Sequence, residues 1–388
     1  MQHFCCEIKY REFITNIMRM RVKSLLYLLL LILSLFLLCR SQSIANSSNP
    51  TSLFVFAHSH LEYGGKYTFS EYYNGTVGRG CTNCIYTSIF SSLLKQWEPR
   101  FLVESVGFLK LWAEDSRNVM NSNWLNQANF MGQFEIANGG IVVNDEACTY
   151  YELIIDQHSL GQHWINQRGL PIPKVAWSLS SLGHSKTHAW ILAKMGYNAL
   201  FIEKIHPKAI HERKRSKTMN FLWKPSDRFE ETLFTEVADY PYPSDSIFWN
   251  GLSYAEFLHE RKKYYLTNNL QHHCGDDFSW TSSNFKKIRK LIDHLKTLQV
   301  EPSWGSFSKY IHKVNNDYVE NGYVGDEPNK TLTVFTDDYF PYITRADEAW
   351  TGFYTSKPWL KGLIYDGMRY LMGLKNLGRS CYSKAIRL

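Results

Sequence analysis

The sequence contains no apolar run as long as the roughly 20 residues that a membrane-spanning helix needs. Its longest apolar run, Leu25–Cys39, is shorter and is preceded by basic residues. This arrangement favours the apolar region of a signal peptide, and small residues follow it at the positions that signal peptidase reads. We therefore predict a leader over residues 1–45 and no stable membrane span in the mature protein. A retained signal anchor is the alternative, and Met18 or Met20 is an alternative start.

A second pair of closely spaced cysteines is also absent. The stretch Cys81-Thr82-Asn83-Cys84 has the spacing of a redox or zinc motif, but without a second pair it favours a local disulfide or two unpaired thiols. Three of the eight cysteines lie in the predicted leader, so five remain. Because five is an odd number, at least one thiol is free or pairs between chains, and homo-oligomerisation stays open.

The chain has little excess charge once the leader is set aside. Residues 1–45 hold six Lys or Arg and two Glu, a net +4 of the total +7, so about +3 remains. The one dense basic run, His211–Lys217, contains no aromatic side chain on which a base could stack. We therefore interpret it as a solvated loop and expect no nucleic-acid partner.

Three sequons agree with passage through the secretory pathway. They begin at Asn46, Asn74 and Asn329, and each has the Asn-X-Ser/Thr pattern that accepts a glycan. Together with the predicted leader, they indicate a protein that is secreted or delivered to an internal compartment.

Short apolar runs alternate with segments of helical periodicity. Strands are predicted at 53–57, 101–104, 134–137, 174–179 and 199–202, with helices at 85–97, 109–112, 150–167 and 185–196. Loops with short strands are expected over 205–265, a helix from Ser283 or Asn284, and a last helix from Pro358. Such alternation predicts an α/β fold with a mostly parallel sheet.

The first of these strands runs directly into potential metal ligands. Leu53–Ala57 is followed by His58, His60 and Glu62 at alternate positions and then by Gly64-Gly65. Imidazole nitrogen and carboxylate oxygen both bind zinc, and the ends of strands are where α/β folds place their chemistry. Hydrogen-bonded structural histidines are the alternative interpretation.

Several stretches in order resemble those of one family. They are His58-Ser59-His60-Leu61-Glu62, FEIANGGIVVNDEACTYYELIIDQ from Phe134, VAWSLSSLGHS from Val175, GDDF from Gly275 and FPYITRADEAWTGFYTSKP from Phe340. The sequence resembles glycoside hydrolase family 38, the α-mannosidases, and within it the lysosomal type. The resemblance implies a barrel-like glycosidase domain over residues 46–340, followed over 341–388 by the start of a helical bundle domain.

The resemblance also implies a mechanism and its residues. Family 38 enzymes hydrolyse α-mannosides of N-glycans with retention, which requires a nucleophilic carboxylate and an acid/base carboxylate. Asp277 matches the acid/base, whereas Ser180 stands where the family has its nucleophilic Asp. The matches at Asp276, Asp145 and Glu146 imply substrate binding.

The family's zinc ion is held by a His-X-Asp pair, the nucleophilic Asp and a later His. His60 matches the first ligand, Glu62 replaces the Asp, and the later His would lie beyond residue 388. Gly65 replaces an aromatic wall of the sugar pocket. We therefore expect zinc to be weakly held or absent and hydrolysis of α-mannosyl glycans to be impaired. A non-catalytic glycan-binding paralogue and a truncated product are the alternatives.

Overall fold

The computed structural model describes residues 50–385 except for positions 62, 65, 77–79, 179–180, 227, 229, 239–250, 279, 281, 299, 323–331 and 346. The predicted leader, Leu25–Cys39 included, lies outside the described residues. The described chain forms one compact unit that begins at Thr51. No helix within the described ranges has both the length and the apolar character needed to cross a membrane.

Strands and helices alternate along most of the chain. The strands are β1 (Thr51–Ala57), β2 (Phe101–Val103), β3 (Phe134–Ile136), β4 (Val175–Ser178), β5 (Ala199–Ile202), β6 (Asn220–Trp223), β7 (Leu233–Val237), β8 (Asn269–Cys274), β9 (Val300–Trp304), β10 (Val334–Phe335), β11 (Ile343–Arg345) and β12 (Glu348–Ala349). The helices are α1 (Phe69–Asn74), α2 (Thr82–Leu93), α3 (Gly107–Ala113), α4 (Met120–Phe130), α5 (Tyr151–Gln167), α6 (Lys186–Lys194), α7 (Pro207–Ser216), α8 (Gly251–Lys262), α9 (Ser282–Leu295), α10 (Phe307–Glu320) and α11 (Pro358–Ala385).

Most strand pairs are parallel. β1 lies between β8 and β9, β2 pairs with β3, and the order β10-β6-β7-β5-β4 forms the largest sheet, in which only β6 and β7 are antiparallel to each other. A parallel bridge between His58 and Leu102 joins the end of β1 to β2. Parallel strands place their carboxyl ends at one edge of a sheet, where α/β proteins build their sites.

The central strand is apolar on both faces because helices and other strands cover it. Leu53, Val55 and Phe56 of β1 are completely buried. On one side Phe56 packs against Phe307 of α10, with ring centroids 4.9 Å apart. A run of buried apolar residues of this kind is typical of a parallel strand covered on both faces. The α/β fold with a mostly parallel sheet is therefore confirmed.

The region predicted as loops is more helical than expected. The basic run His211–Lys217 lies mostly in α7, so its interpretation as a loop was wrong. No side chain of α7 is buried, so the helix has no apolar stripe for a sequence pattern to reveal. Instead, the Arg213 guanidinium lies over the Phe221 ring at 4.0 Å, and Pro207 occupies the first turn.

Three other expectations concern the cysteine pair, the last helix and the domain boundaries. Cys81 and Cys84 form a local disulfide, one of the two alternatives that their spacing left open. The 28-residue helix α11 begins at Pro358, as predicted. The division into domains at residues 45 and 340, and the helical bundle of which α11 would be the start, stay predictions.

Candidate active site

The segments that follow β1 and β8 lie side by side. The parallel register pairs Ala57 with Cys274, and the bridge continues beyond both strands to His60 and Asp277. Here the His60 N–H donates to the carbonyl of Asp276 at 3.3 Å, and the Phe278 N–H donates to the carbonyl of His60 at 2.8 Å. Two motifs more than 200 residues apart in sequence thus share one backbone ladder.

The approach of these two segments requires a glycine. A Cβ placed on Gly275 would lie 2.1 Å from the carbonyl oxygen of His58. The Gly in the GDDF stretch therefore has a steric reason, because any side chain there would push the two segments apart.

His60 is buried and both of its ring nitrogens face other side chains. Nδ1 lies 3.3 Å from Oε2 of Glu104, and Nε2 lies 3.1 Å from Nε2 of His58. Burial lowers the pKa of His60, but the nearby Glu104 carboxylate outweighs burial and the net shift is upward. Burial holds the pKa of His58 well below its usual value. Glu104 thus meets His60 through Oε2, whereas its buried Oε1 has no hydrogen-bond partner among the described residues.

The two aspartates after β8 are exposed. Asp276 accepts the Asp277 N–H at 2.8 Å through its own carboxylate. Asp277 is positioned by the bridge to His60, while the next residue, Phe278, adopts a left-handed φ of 49° and stacks on Tyr72 at 4.6 Å. The backbone of Asp277 is therefore held firmly, and its carboxylate is open to solvent. An acid/base must have that access to exchange a proton.

Glu146 occupies the opposite kind of environment. Its side chain is fully buried and accepts from Ser178 Oγ at 2.5 Å, His184 Nδ1 at 2.9 Å and the Ser185 N–H at 2.7 Å. Burial alone would raise the pKa of Glu146, but the neighbouring histidines and these donors lower it to about 2. The carboxylate thus joins β4 to the start of α6, and its predicted contact with substrate stays a prediction.

Asp145, the neighbour of Glu146, is half-buried and shapes a turn. Its carboxylate accepts the N–H groups of Ala147 at 3.1 Å and Cys148 at 2.8 Å. This is the local side chain to backbone bonding that aspartate commonly provides in turns. Its predicted role in substrate binding stays a prediction too.

Asn138 contributes to the site, although no role for it was predicted from the sequence. Its amide donates to the carbonyls of Trp177 at 2.7 Å and Glu104 at 3.2 Å, and its Oδ1 accepts the Trp177 N–H at 2.6 Å. The residue has a left-handed φ of 57°. One side chain thus bridges β3, β4 and the end of β2. The only available signal was its place before two glycines.

Three predicted site positions lie outside the described residues. They are Glu62, Gly65 and Ser180. Of the predicted set, the structure brings His60 together with Asp276 and Asp277 at one edge, and places Asp145 and Glu146 beside the end of β4, which stops two residues before position 180.

The order and spacing of these elements match a known family. The sequence profile of the Glycosyl hydrolases family 38 N-terminal domain matches residues 50–345, about three quarters of the chain. The chain belongs to glycosyl hydrolase family 38. The resemblance noted from its motifs is therefore confirmed.

Named relatives within family 38 agree with this assignment. The chain is 29% identical to the lysosomal alpha-mannosidase of Dictyostelium discoideum over 350 residues, which cover 82% of this chain and 33% of that protein. It is 29% identical to the lysosomal alpha-mannosidase of Mus musculus over 340 residues, which cover 79% of this chain and 33% of that one. The chain thus spans about a third of the length of these curated relatives.

The fold also has a counterpart among solved family 38 structures. An alpha-mannosidase from Enterococcus faecalis V583 superposes with a TM-score of 0.58 at 13% identity, covering 74% of this chain and 31% of that one. At that identity the likeness concerns the fold alone.

Of the positions predicted to hold zinc, only His60 lies within the described residues, since 62 and 180 lie outside them. Within the described ranges no group of three or more His, Cys, Asp or Glu side chains could hold a metal. His60 would have to release either Glu104 or His58 before a ring nitrogen could bind a cation.

Proposed function

We propose that this chain is an α-mannosidase-like protein that binds α-mannosyl glycans but hydrolyses them poorly. The observation that carries the proposal is Ser180, which stands in the family motif where the nucleophilic aspartate belongs. The surrounding framework supports retained binding, because the segments bearing His60 and Asp277 are joined by backbone hydrogen bonds that do not involve position 180.

The chemical reason is the need for two carboxylates. Retaining glycosidases place a nucleophile and an acid/base about 5–5.5 Å apart, and the nucleophile stabilises a positively charged sugar before trapping it. A serine hydroxyl carries no charge and needs an adjacent base to activate it. Loss of a nucleophile typically costs several powers of ten in rate, and the residual rate comes from binding and electrostatics.

We assign Asp277 as the surviving proton donor. Its carboxylate is exposed and its backbone is held against His60, which suits a group that must meet a glycosidic oxygen. Asp276 and Asp145 are proposed to contact sugar hydroxyls. For Glu146 we propose an indirect contribution, since its carboxylate is turned toward Ser178 and His184 and positions the segment that leads to residue 180.

We propose further that zinc is held weakly or not at all. In the family the ion would grip sugar hydroxyls and help to distort the ring. Glu62 is one methylene longer than the family's aspartate, Ser180 is a neutral donor, and His60 faces Glu104 and His58. Too few anionic donors remain for a site that normally closes with four protein ligands. A secretory route, to the lysosome or out of the cell, also belongs to this proposal.

The decisive experiment measures hydrolysis, binding and metal content on the same secreted preparation of the full chain. We expect a chromogenic α-mannoside to be turned over at or near background and zinc to be substoichiometric after mild dialysis. Binding of an α-mannosyl oligosaccharide by calorimetry should persist at roughly micromolar to millimolar affinity, because the backbone ladder that holds Asp276 and Asp277 is kept.

Two variants make the result interpretable. Asp277→Asn should leave sugar binding within about threefold, and Asp337→Asn, at an exposed aspartate that is not among the predicted site residues, serves as the matched control. Turnover at about 1 s⁻¹ or faster that disappears in Asp277→Asn but not in Asp337→Asn would contradict the proposal. So would the absence of sugar binding by a cooperatively folded chain.

A further inference from the structure

A cavity of about 350 Å³ lies beside the start of β2, at the opposite end of that strand from the candidate active site. Arg100, directly before β2, lines the cavity, whereas Glu104, directly after β2, contacts His60. β2 has three residues, so its two ends are roughly 10 Å apart. None of the candidate site residues is among those that line the cavity, which is therefore separate from the edge that bears Asp277.

Three parts of the chain enclose this cavity: the segment before β2, helix α9 and the end of β9. They contribute, among others, Trp97, Arg289 and Trp304. A second cavity of about 210 Å³ adjoins the first, because Arg100 and Lys309 line both. Small-molecule sites typically have volumes of about 300–1,000 Å³, so the larger cavity alone can hold a sugar ring with a substituent.

The larger cavity has an excess of positive charge. Four cationic side chains and two carboxylates line it. Both carboxylates form ion pairs, which are Arg289–Glu98 and, at 3.5 Å, Lys296–Asp293. The other two cations are Arg100 and Lys309, and neither has a carboxylate within ion-pair distance among the described residues. The cavity thus lacks a negative group opposite two of its cations.

The backbone holds the Arg100 guanidinium in place. Its Nη1 group donates to the carbonyls of Trp97 at 3.0 Å, Glu98 at 2.8 Å and Pro99 at 3.2 Å. Partial burial lowers the pKa of Arg100, because the cation has lost part of its hydration. Guanidinium has five N–H donors, and those on Nε and Nη2 have no partner among the described residues. A fixed guanidinium of this kind binds carboxylate and phosphate oxygens well, because little freedom is lost on binding.

Two tryptophans flank the same cavity. Trp97 is 74% exposed and Trp304 is half-buried, so both indoles are accessible to a ligand. The faces of aromatic rings carry partial negative charge, which attracts the partly positive C–H groups of a sugar ring. We propose that this cavity binds a sugar that carries a negatively charged group, with the anion beside Arg100 and Lys309 and the sugar ring against Trp97. We name it the Arg100 site.

One carboxylate lies near the position proposed for the anion. Glu135 lines the adjoining cavity together with Lys309, but its Oε1 accepts the Ser308 N–H at the start of α10, at 3.0 Å, and it forms no ion pair with the lysine. Burial raises the pKa of Glu135, which favours its neutral form relative to that of an exposed glutamate. The Lys309 ammonium is therefore left for the anion of a ligand.

The first test is calorimetry of the full chain with three sugars that share one pyranose ring. Glucose 6-phosphate and glucuronic acid should bind with dissociation constants of roughly 0.1–1 mM, and neutral glucose at least tenfold more weakly. Binding of only one of the two anionic sugars supports the site and identifies its charged group. Inorganic phosphate should bind at least tenfold more weakly than glucose 6-phosphate, because it cannot stack on Trp97. Glucose or inorganic phosphate binding as tightly as glucose 6-phosphate would overturn the proposal.

Variants at exposed positions test the two walls without disturbing the fold. Trp97→Ala removes the stacking surface and Lys309→Gln removes a charge, so each should weaken binding of glucose 6-phosphate about fivefold or more. Lys286→Gln is the matched control, because this exposed lysine of α9 lines neither cavity, and it should change binding less than twofold. A loss in Lys309→Gln but not in Trp97→Ala would leave only a simple anion site. That result, or an equal loss in the control, would contradict the proposal.

Competition separates the Arg100 site from the candidate active site. A neutral α-mannosyl oligosaccharide should leave the binding of glucose 6-phosphate unchanged, whether or not the oligosaccharide itself binds to the chain. Displacement of glucose 6-phosphate by the oligosaccharide would mean that both sugars use the edge that bears Asp277, and the Arg100 site would be wrong.

Discussion

At the end of β8 the carboxylate of Asp277 is exposed, whereas at the end of β4 the carboxylate of Glu146 is completely buried between Ser178 and His184. At the end of β8, backbone hydrogen bonds hold Asp277 in place. At the end of β4 the relation is reversed, because the Glu146 carboxylate holds the neighbouring backbone and side chains. The β8 side chain is thus available to a ligand, while the β4 side chain belongs to the framework.

This difference bears on the proposed replacement of the family 38 nucleophile at position 180. The Glu146 hydrogen bonds and the Asn138 bridge hold the end of β4 at Trp177, Ser178 and Ser185. Under the proposed function, a serine at position 180 would remove the nucleophile while these hydrogen bonds are kept. Retention of the fold is consequently weak evidence for retention of the activity.

The largest effect on stability is expected at Glu146. Glu146→Ala leaves the Ser178 hydroxyl, His184 Nδ1 and the Ser185 N–H without their buried acceptor, and should cost about 3–5 kcal/mol in the free energy of unfolding. Urea denaturation of the full chain measures this loss. Asp145→Ala is the matched control, because this half-buried neighbour holds only a local turn, and it should cost about 1 kcal/mol. Equal losses in the Glu146 and Asp145 variants would contradict the view that only Glu146 supports the framework.

A somewhat smaller loss is expected at Asn138. Asn138→Ala removes three buried hydrogen bonds and replaces an asparagine, which tolerates a left-handed φ, with an alanine, which tolerates it less well, so about 2–4 kcal/mol should be lost. Asn138→Gly removes the same bonds but relieves the backbone, and should be roughly 1 kcal/mol less destabilising. If alanine and glycine cost the same, the left-handed backbone carries no strain.

Sequence reasoning succeeded where a local pattern determines the element. β5 occurs at Ala199–Ile202 as predicted, and α5 and α6 begin within a residue of their expected starts, because buried apolar periodicity identifies such segments. It failed at α7, which has no buried side chain, and it overlooked α4, whose short polar sequence gives a weak pattern.

For the site, the motifs located the residues but could not describe their surroundings. The pairing of His60 with Asp277 spans more than 200 residues, and the contact of His60 with Glu104 spans 44. Contacts at these separations follow from the folded topology, which periodicity does not encode. The inward orientation of Glu146 was missed for the same reason, since it depends on a histidine 38 residues away.

A third prediction compares two buried carboxyl groups with opposite pKa shifts. Burial raises the pKa of Glu236 in β7 to about 7, despite donors from Tyr310 and Asn220, while the pKa of Glu146 falls to about 2. In the unfolded chain both glutamates have a pKa of about 4.3. Between pH 4.3 and 7 the folded state binds more protons at Glu236, so stability should fall as the pH rises.

Because the pKa shifts of Glu236 and Glu146 have opposite signs, the two carboxyl groups can be distinguished experimentally. Glu236→Gln should flatten the decline in stability between about pH 4.3 and 7, an effect of about 1–3 kcal/mol by urea denaturation. Glu146 contributes stability that is present above about pH 4.3 and is lost as the pH falls toward 2. The Glu236 variant should leave that acid limb unchanged. An unchanged slope near neutral pH would mean that Glu236 is ionised and compensated in the folded state.

The smallest effect on stability is expected at Asp277, in contrast to the large effect expected at Glu146. Among the described residues its carboxylate accepts no hydrogen bond, and the ladder to His60 uses backbone atoms that a substitution does not remove. Asp277→Asn keeps the side-chain shape and should change the free energy of unfolding by less than about 0.5 kcal/mol. Asp338→Asn provides an intermediate reference, because the Asp338 carboxylate accepts the Lys186 N–H at the start of α6 at 2.6 Å. It should cost about 1 kcal/mol. A loss at Asp277 larger than that at Asp338 would show that the carboxylate supports the fold, and its assignment as a proton donor would then lose the structural argument on which it rests.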